Sequence, residues 1–111
     1  NYAFACQSID STAAHNDFNS NSADRIENVG VNDANETFGV GHCTFIYRPA
    51  DSSSYTYLQH QSGGFRDTGN LRAYKTIGVH KVQQEVTGYR IFGRSGRITA
   101  TMVLYGIKWV A

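Results

Sequence analysis

Val86-Thr-Gly-Tyr-Arg-Ile-Phe-Gly-Arg-Ser-Gly-Arg-Ile-Thr-Ala-Thr-Met-Val-Leu-Tyr-Gly-Ile-Lys-Trp-Val-Ala111 closes the chain and decides its class. Two runs rich in β-branched and aromatic residues flank the Arg94-Ser-Gly96 turn, which predicts strands over 86–92 and 98–110. In the second run Ile98, Ala100, Met102 and Leu104 share one face, and Thr99, Thr101, Val103, Tyr105, Ile107 and Trp109 share the other. Both faces are at least half apolar. Such a strand is expected either at the centre of a sandwich or beneath a neighbouring subunit. Because the run reaches the last residue, the C-terminus is expected to pack inside the sheet.

Working outward, short β-branched and aromatic runs alternate with Gly, Asn, Asp and Ser, which predicts further strands at 2–9, 26–31, 38–48, 54–61 and 71–80. In 38–48 the side chains of Cys43, Phe45 and Tyr47 point one way, and those of His42, Thr44, Ile46 and Arg48 the other. Pro49 ends that strand where its missing N–H does least harm. The Asn/Ser-rich stretch 10–25 and the Gly-rich stretch 62–70 read as the two long irregular loops. About seven short strands and almost no helix signal predict an all-β fold, a single antiparallel β-sandwich of jelly-roll type. Residues 1–111 form one domain in this reading. A strand and an irregular N-terminal segment occupy 1–25, and the sandwich proper occupies 26–110.

The composition is 41% apolar and only 17% charged, against roughly 25% charged in an average globular chain. Neutral polar surfaces of this kind suit repeated or extracellular assemblies, where charge repulsion between copies is costly. A net charge of +1 gives no drive toward nucleic acid or anionic membrane, and no apolar run approaches the ~20 residues of a membrane span. The chain begins at Asn1 without Met or a signal-peptide pattern, so it reads as a fragment or processed product. Cys6 and Cys43 are more simply small buried thiols than a disulfide.

Enzyme chemistry finds little purchase. His15, His42, His60 and His80 lack chelating spacing, and His42 and Cys43, being adjacent on a strand, face opposite sides. Neither a metal nor any other cofactor is expected. The run Asp17 to Asp24 carries alternate oxygen ligands as a calcium loop does, but it lacks the sixth-position glycine and has Asn28 at the twelfth position. Asp51, Ser52 and His60 are triad ingredients without a nucleophile elbow. No catalytic residue is therefore assigned, and the domain is expected to be non-enzymatic. Asn35-Glu36-Thr37 matches a glycosylation sequon, a pattern common by chance.

What remains is aromatic and amide chemistry. Tyr55, Tyr57, His60, Phe65, Arg66 and Tyr74 are the candidate receptor or glycan contacts, since rings stack on pyranose faces while polar groups read hydroxyls. The plainer alternative is that Tyr55 and Tyr57, alternating with Thr56 and Leu58, fill one face of the sandwich. Val103, Tyr105, Ile107 and Trp109 are the candidate subunit interface.

Three ordered blocks carry a resemblance. Val86-Thr-Gly-Tyr-Arg-Ile-Phe92 followed by Ser95-Gly-Arg-Ile98 and Leu104-Tyr-Gly-Ile107 resembles the closing strands of short β-sandwich domains in tailed-phage virion proteins, especially the C-terminal tips of tail fibres and tailspikes. Asn32-Asp-Ala-Asn-Glu36 with Gly41-His-Cys-Thr-Phe-Ile-Tyr-Arg-Pro-Ala50 resembles that family's acidic turn and following strand. Ser54-Tyr-Thr-Tyr57 and the Gly63-Gly64 break resemble the next block. The resemblance covers 26–108. Tyr89, where the family has a small aliphatic residue, and Trp109, beyond the usual ending, depart from it.

The resemblance implies a virion tail appendage assembled in the host cytoplasm. It also implies a homotrimer attached to the upstream part of the same fibre, and binding to host-surface polysaccharide or protein. It supplies no catalytic residues. Two alternatives share the sandwich: a non-catalytic trimerisation or carbohydrate-holding module of a polysaccharide-degrading tailspike, and a capsid decoration or head-fibre protein.

Overall fold

The computed structural model describes residues 1–27, 40–65, 69–93 and 101–107. It is all-β: five strands form a single antiparallel sheet, with no helix among the described residues. The strands are β1 (Tyr2–Asp10), β2 (His15–Ala23), β3 (Val40–Tyr47), β4 (Thr56–Phe65) and β5 (Leu71–His80), in the spatial order β2-β1-β5-β4-β3. β5 is the middle strand. It pairs with β1 from Arg72 to His80 on one side and with β4 along its whole length on the other.

Four of the expected strands are present, and two segments read as loops turn out to be strand. The Asn/Ser-rich stretch holds β2, which pairs with β1 through Cys6↔Phe18 and Ser8↔Asn16. The reversal between them is built at Asp10. Its carboxylate accepts from the Thr12 amide (2.9 Å) and hydroxyl (2.5 Å), while Ala13 N–H donates to the Asp10 carbonyl. Once that turn fixes the register, the ladder outweighs the weak strand propensity of Asn and Ser. The polar composition also suits an edge strand, since it offers little to a foreign sheet. Likewise Gly63 and Gly64 lie inside β4, opposite Ala73 and Arg72, because continuous pairing with β5 carries the strand through to Phe65.

The described parts of two expected strands, 86–92 and 101–107, are not strand. Residues 86–92 join no ladder: the Val86 amide bonds the Pro49 carbonyl (2.7 Å), and the Arg90 guanidinium sits over the Phe92 ring. Residues 101–107 also stand outside the sheet. A β-rich sequence fits a pleated surface but forms a strand only where it pairs, and residues 86–92 and 101–107 pair with neither outer edge of the sheet, β2 or β3. The rest of the 98–110 run, and residues 28–31 of the expected 26–31 strand, lie outside the described residues. Among the described residues there is thus one sheet rather than two, and residues 101–107 are not part of it.

The two faces of the sheet are unlike. Tyr2, Phe4, Cys6, Ser8 and Asp10 alternate onto the covered face, with Thr76, His60 and Thr44 aligned beside Cys6 across the ladder. Among the described residues its buried apolar members are Phe4 and Cys6, with Ile46, Leu58 and Tyr74 half-buried, and its buried polar ones are Ser8, Thr56, His60, Ser62 and Thr76. Ile26 lies across Gly78, so closely that a methyl group there would fall 2.6 Å from Ile26 Cδ1. The Lys81 amide bonds the Asn1 carbonyl, which ties the far end of β5 to the start of β1.

Candidate functional site on the open sheet face

The opposite face carries several large apolar residues that are exposed. Across β3, β4, β5 and β1 the ladder aligns Tyr47, Tyr57, Val79 and Ala3 in one row and Phe45, Gln59, Ile77 and Ala5 in the next. Phe45, Tyr47, Tyr57 and Ile77 are each about half exposed. The Tyr47 hydroxyl donates to Gln59 Oε1 (3.0 Å), and the rings of Phe45 and Tyr47 lie 6.5 Å apart. Because Ala3 and Ala5 are small, β1 forms the floor of a shallow trough. Its walls are Tyr57, Ile77 and Val79 on one side and Asn19 and Asn21 on the other, and its volume is about 370 Å³. A second depression of about 310 Å³ continues it past Gln7, Asp17 and Lys75. An apolar floor with amide walls can take a flat, amphipathic partner.

The covered face is a polar cluster. His60 is fully buried; its Nδ1 lies 2.5 Å from Thr44 Oγ1, and its ring stacks on His42 at 5.5 Å. Its Nε2, like Ser62 Oγ, Thr56 Oγ1 and Arg72 Nε, has no hydrogen-bond partner among the described residues. Burial, reinforced by the neighbouring His42, pushes the His60 pKa down to about 4, so the ring is neutral near pH 7. Burial raises the Cys6 thiol, and its hydrogen bond with Thr76 partly offsets this. Cys43 is a free, exposed thiol on the other face, so these two cysteines do not form a disulfide. Among the described residues no three His, Cys, Asp or Glu side chains gather to hold a metal.

The six candidate glycan residues do not form one site. Tyr57 and Phe65 lie on the open face, eight residues apart along β4, or roughly 27 Å at the usual strand rise. Tyr55 precedes β4 and is exposed. His60 and Tyr74 are on the covered face, and Arg66 lies outside the described residues. Of the candidate interface residues, Val103, Tyr105 and Ile107 are 69%, 80% and 78% exposed, and Trp109 lies outside the described residues. Alternation within β3 marked Phe45 and Tyr47 as sharing a face. Ile77, Val79, Ala3 and Ala5 were missed, because only the β1–β5 register sets them beside Tyr57.

Comparison with known proteins finds no matching family model, no matching curated protein and no matching solved structure.

Proposed function

We propose that this chain is a non-enzymatic domain of a tailed-phage virion appendage, a tail fibre or tailspike tip that assembles as a homotrimer and binds a host-surface glycan. The observation that carries the reading is the C-terminal run. Met102, Val103, Leu104, Tyr105 and Ile107 stand exposed in the single chain, a contiguous apolar surface of the kind that assembly covers. The number of copies and the virion location come from the resemblance of the closing blocks. In the assembled particle the runs 86–92 and 98–110 complete a seven-stranded, jelly-roll-like sandwich. Tyr57, beside the amides of Gln59, Asn19 and Asn21, is the glycan-stacking ring.

Light scattering on the chain joined to its native upstream segment tests the assembly, and a trimer is the expected mass. A monomer at micromolar concentration refutes it. Glycan-array binding or blocking of phage adsorption tests the second element, and no signal on any host surface removes the receptor role.

A further inference from the structure

We infer that residues 86–92 are a strap that closes as a sixth strand on the outer edge of β3, antiparallel to it, with Gly88, Arg90 and Phe92 bonded to Ile46, Thr44 and His42. The inference is independent of the appendage reading, since strap and edge belong to one chain.

Backbone bonds just beyond the two ends of β1 fix which groups that edge leaves free. The Lys81 amide bonds the Asn1 carbonyl, and the Ser11 amide bonds the Leu71 carbonyl. Both contacts continue the β1–β5 register, and both fall on odd-numbered residues. Bonded pairs alternate along an antiparallel ladder, so the even residues of β5 bond β4. By the same alternation the odd residues of β4 bond the odd residues of β3, Gln59 to Phe45 and Gln61 to Cys43 among them. The amides and carbonyls of His42, Thr44 and Ile46 therefore point outward, and among the described residues no strand takes them. β3 also lacks the usual protection of an edge. It contains no proline, lysine, arginine or carboxylate and its register is unbroken, whereas β2 at the other edge is largely Asn and Ser.

Three observations bring the strap to this edge. Gln83 Nε2 bonds the Ser53 carbonyl, and the Val86 amide bonds the Pro49 carbonyl (2.7 Å). Residues 81–86 thus run across the β3–β4 connection and end beside the last turn of chain leaving β3. Second, Arg48 has φ of 53°. A left-handed residue followed by one that takes the partner's amide is the geometry of a bulge, in which two residues face one. Arg48 and Pro49 then face Val86, and the next bonded pair is Gly88 with Ile46. That parity matches the outward groups of β3, which the β1–β5 bonds fix without reference to Val86. Third, the Arg90 guanidinium lies 5.0 Å from the centre of the Phe92 ring. Side chains two positions apart meet on one side when the chain is extended.

The structure holds the strap at this first bond and open beyond it: a Cβ at Gly88 would have nothing within 4 Å. Closing sets Tyr89 opposite Phe45 and Ile91 opposite Cys43 on the open face. Tyr89 and Phe45 are 46% and 47% exposed, so each ring gains the other as cover.

Register-specific disulfide trapping in the full chain tests the strap. Cys43 already supplies one exposed thiol, and directly opposite residues that share no backbone bond lie close enough for a disulfide. Under mild oxidation Ile91→Cys is expected to link to Cys43 within one chain, as read by non-reducing peptide mapping. Arg90→Cys and Phe92→Cys, whose side chains belong to the other face, are expected to stay unlinked. Adding Gly88→Pro to Ile91→Cys removes the first amide of the strap at an uncrowded position and is expected to abolish the link. In the unsubstituted chain the amides of Gly88, Arg90 and Phe92 are expected to exchange at least about ten-fold more slowly than those of Thr87, Tyr89 and Ile91. Equal linking by all three cysteine variants overturns the inference, as does the absence of both link and protection. Links between chains also overturn it and assign the edge to another copy. A monomeric chain that links supports the strap and removes the trimer; a trimer that does not link does the reverse.

Discussion

His60 Nδ1 and Thr44 Oγ1 face each other across the β3–β4 ladder at 2.5 Å, while the other ring nitrogen of His60 is buried without a partner among the described residues. The folded chain therefore holds a neutral imidazole whose pKa is pushed from 6.5 to about 4, first by burial and then by His42. Above pH 6.5 the ring is neutral in folded and unfolded chains alike. Between pH 6.5 and about 4 the unfolded chain binds a proton that the folded ring refuses, so stability falls as the pH drops. The loss approaches roughly 3 kcal/mol by the lower end. Urea midpoints measured from pH 7.5 to 4 are expected to decline, and His60→Gln is expected to flatten that decline. An unchanged slope in the variant would assign the acid sensitivity elsewhere. The Asp10 and Asp51 carboxyls, held low chiefly by hydrogen bonds from Thr12 and Ser53, lose their contribution only as pH falls below the ordinary carboxylate value of 3.8 toward their lowered folded values.

Ile26 closes over Gly78 with no room for a methyl group. Gly78→Ala is expected to destabilise the fold by about 1–3 kcal/mol through overpacking. Combining it with Ile26→Ala is expected to cost less than the two single changes added together, since the smaller residue removes the clash. Additive losses in a denaturation cycle would show that the two residues do not meet.

Ala13 has φ of 67° in the turn between β1 and β2, a left-handed conformation that costs an L-residue about 1–2 kcal/mol. Ala13→Gly relieves that cost and returns part of it as unfolded-chain entropy. A net gain of ~0.5–1 kcal/mol is expected in thermal or urea unfolding. A loss would mean that the turn takes another form.

Cys6 is buried on the covered face with its thiol pKa raised by burial, and Cys43 is exposed on β3. A thiol reagent at pH 8 is expected to modify one cysteine per chain quickly, and the second only as fast as the sheet opens. Peptide mapping identifies the fast site. Equal rates at both would contradict the burial of β1.

The local chemistry of the strands was legible in the sequence. Alternation placed Cys43, Phe45 and Tyr47 together, and the runs at 2–9, 54–61 and 71–80 are strands. Where the sequence misled, it did so through propensity. Asn16 to Ser22 look like a loop and form β2, because Asp10 sets the turn and β1 supplies the ladder. Val86 to Phe92 look like a strand and join no ladder; their start is tied instead to the Pro49 carbonyl through the Val86 amide. The candidate site was legible only in part. Tyr57 was singled out, but His60 was grouped with it although three positions along a strand put the two on opposite faces.

By itself the sequence determined that this is an all-β chain, with two distinct faces on each strand. Tertiary structure alone decided which strands are neighbours and which face is covered. Alternation is a property of one strand and is the same for either choice of buried face. The pairing of Ala5 with Ile77 and of Tyr57 with Val79 is a property of residues more than twenty positions apart in the chain. Only when those long-range ladders form do the scattered apolar residues become one open surface.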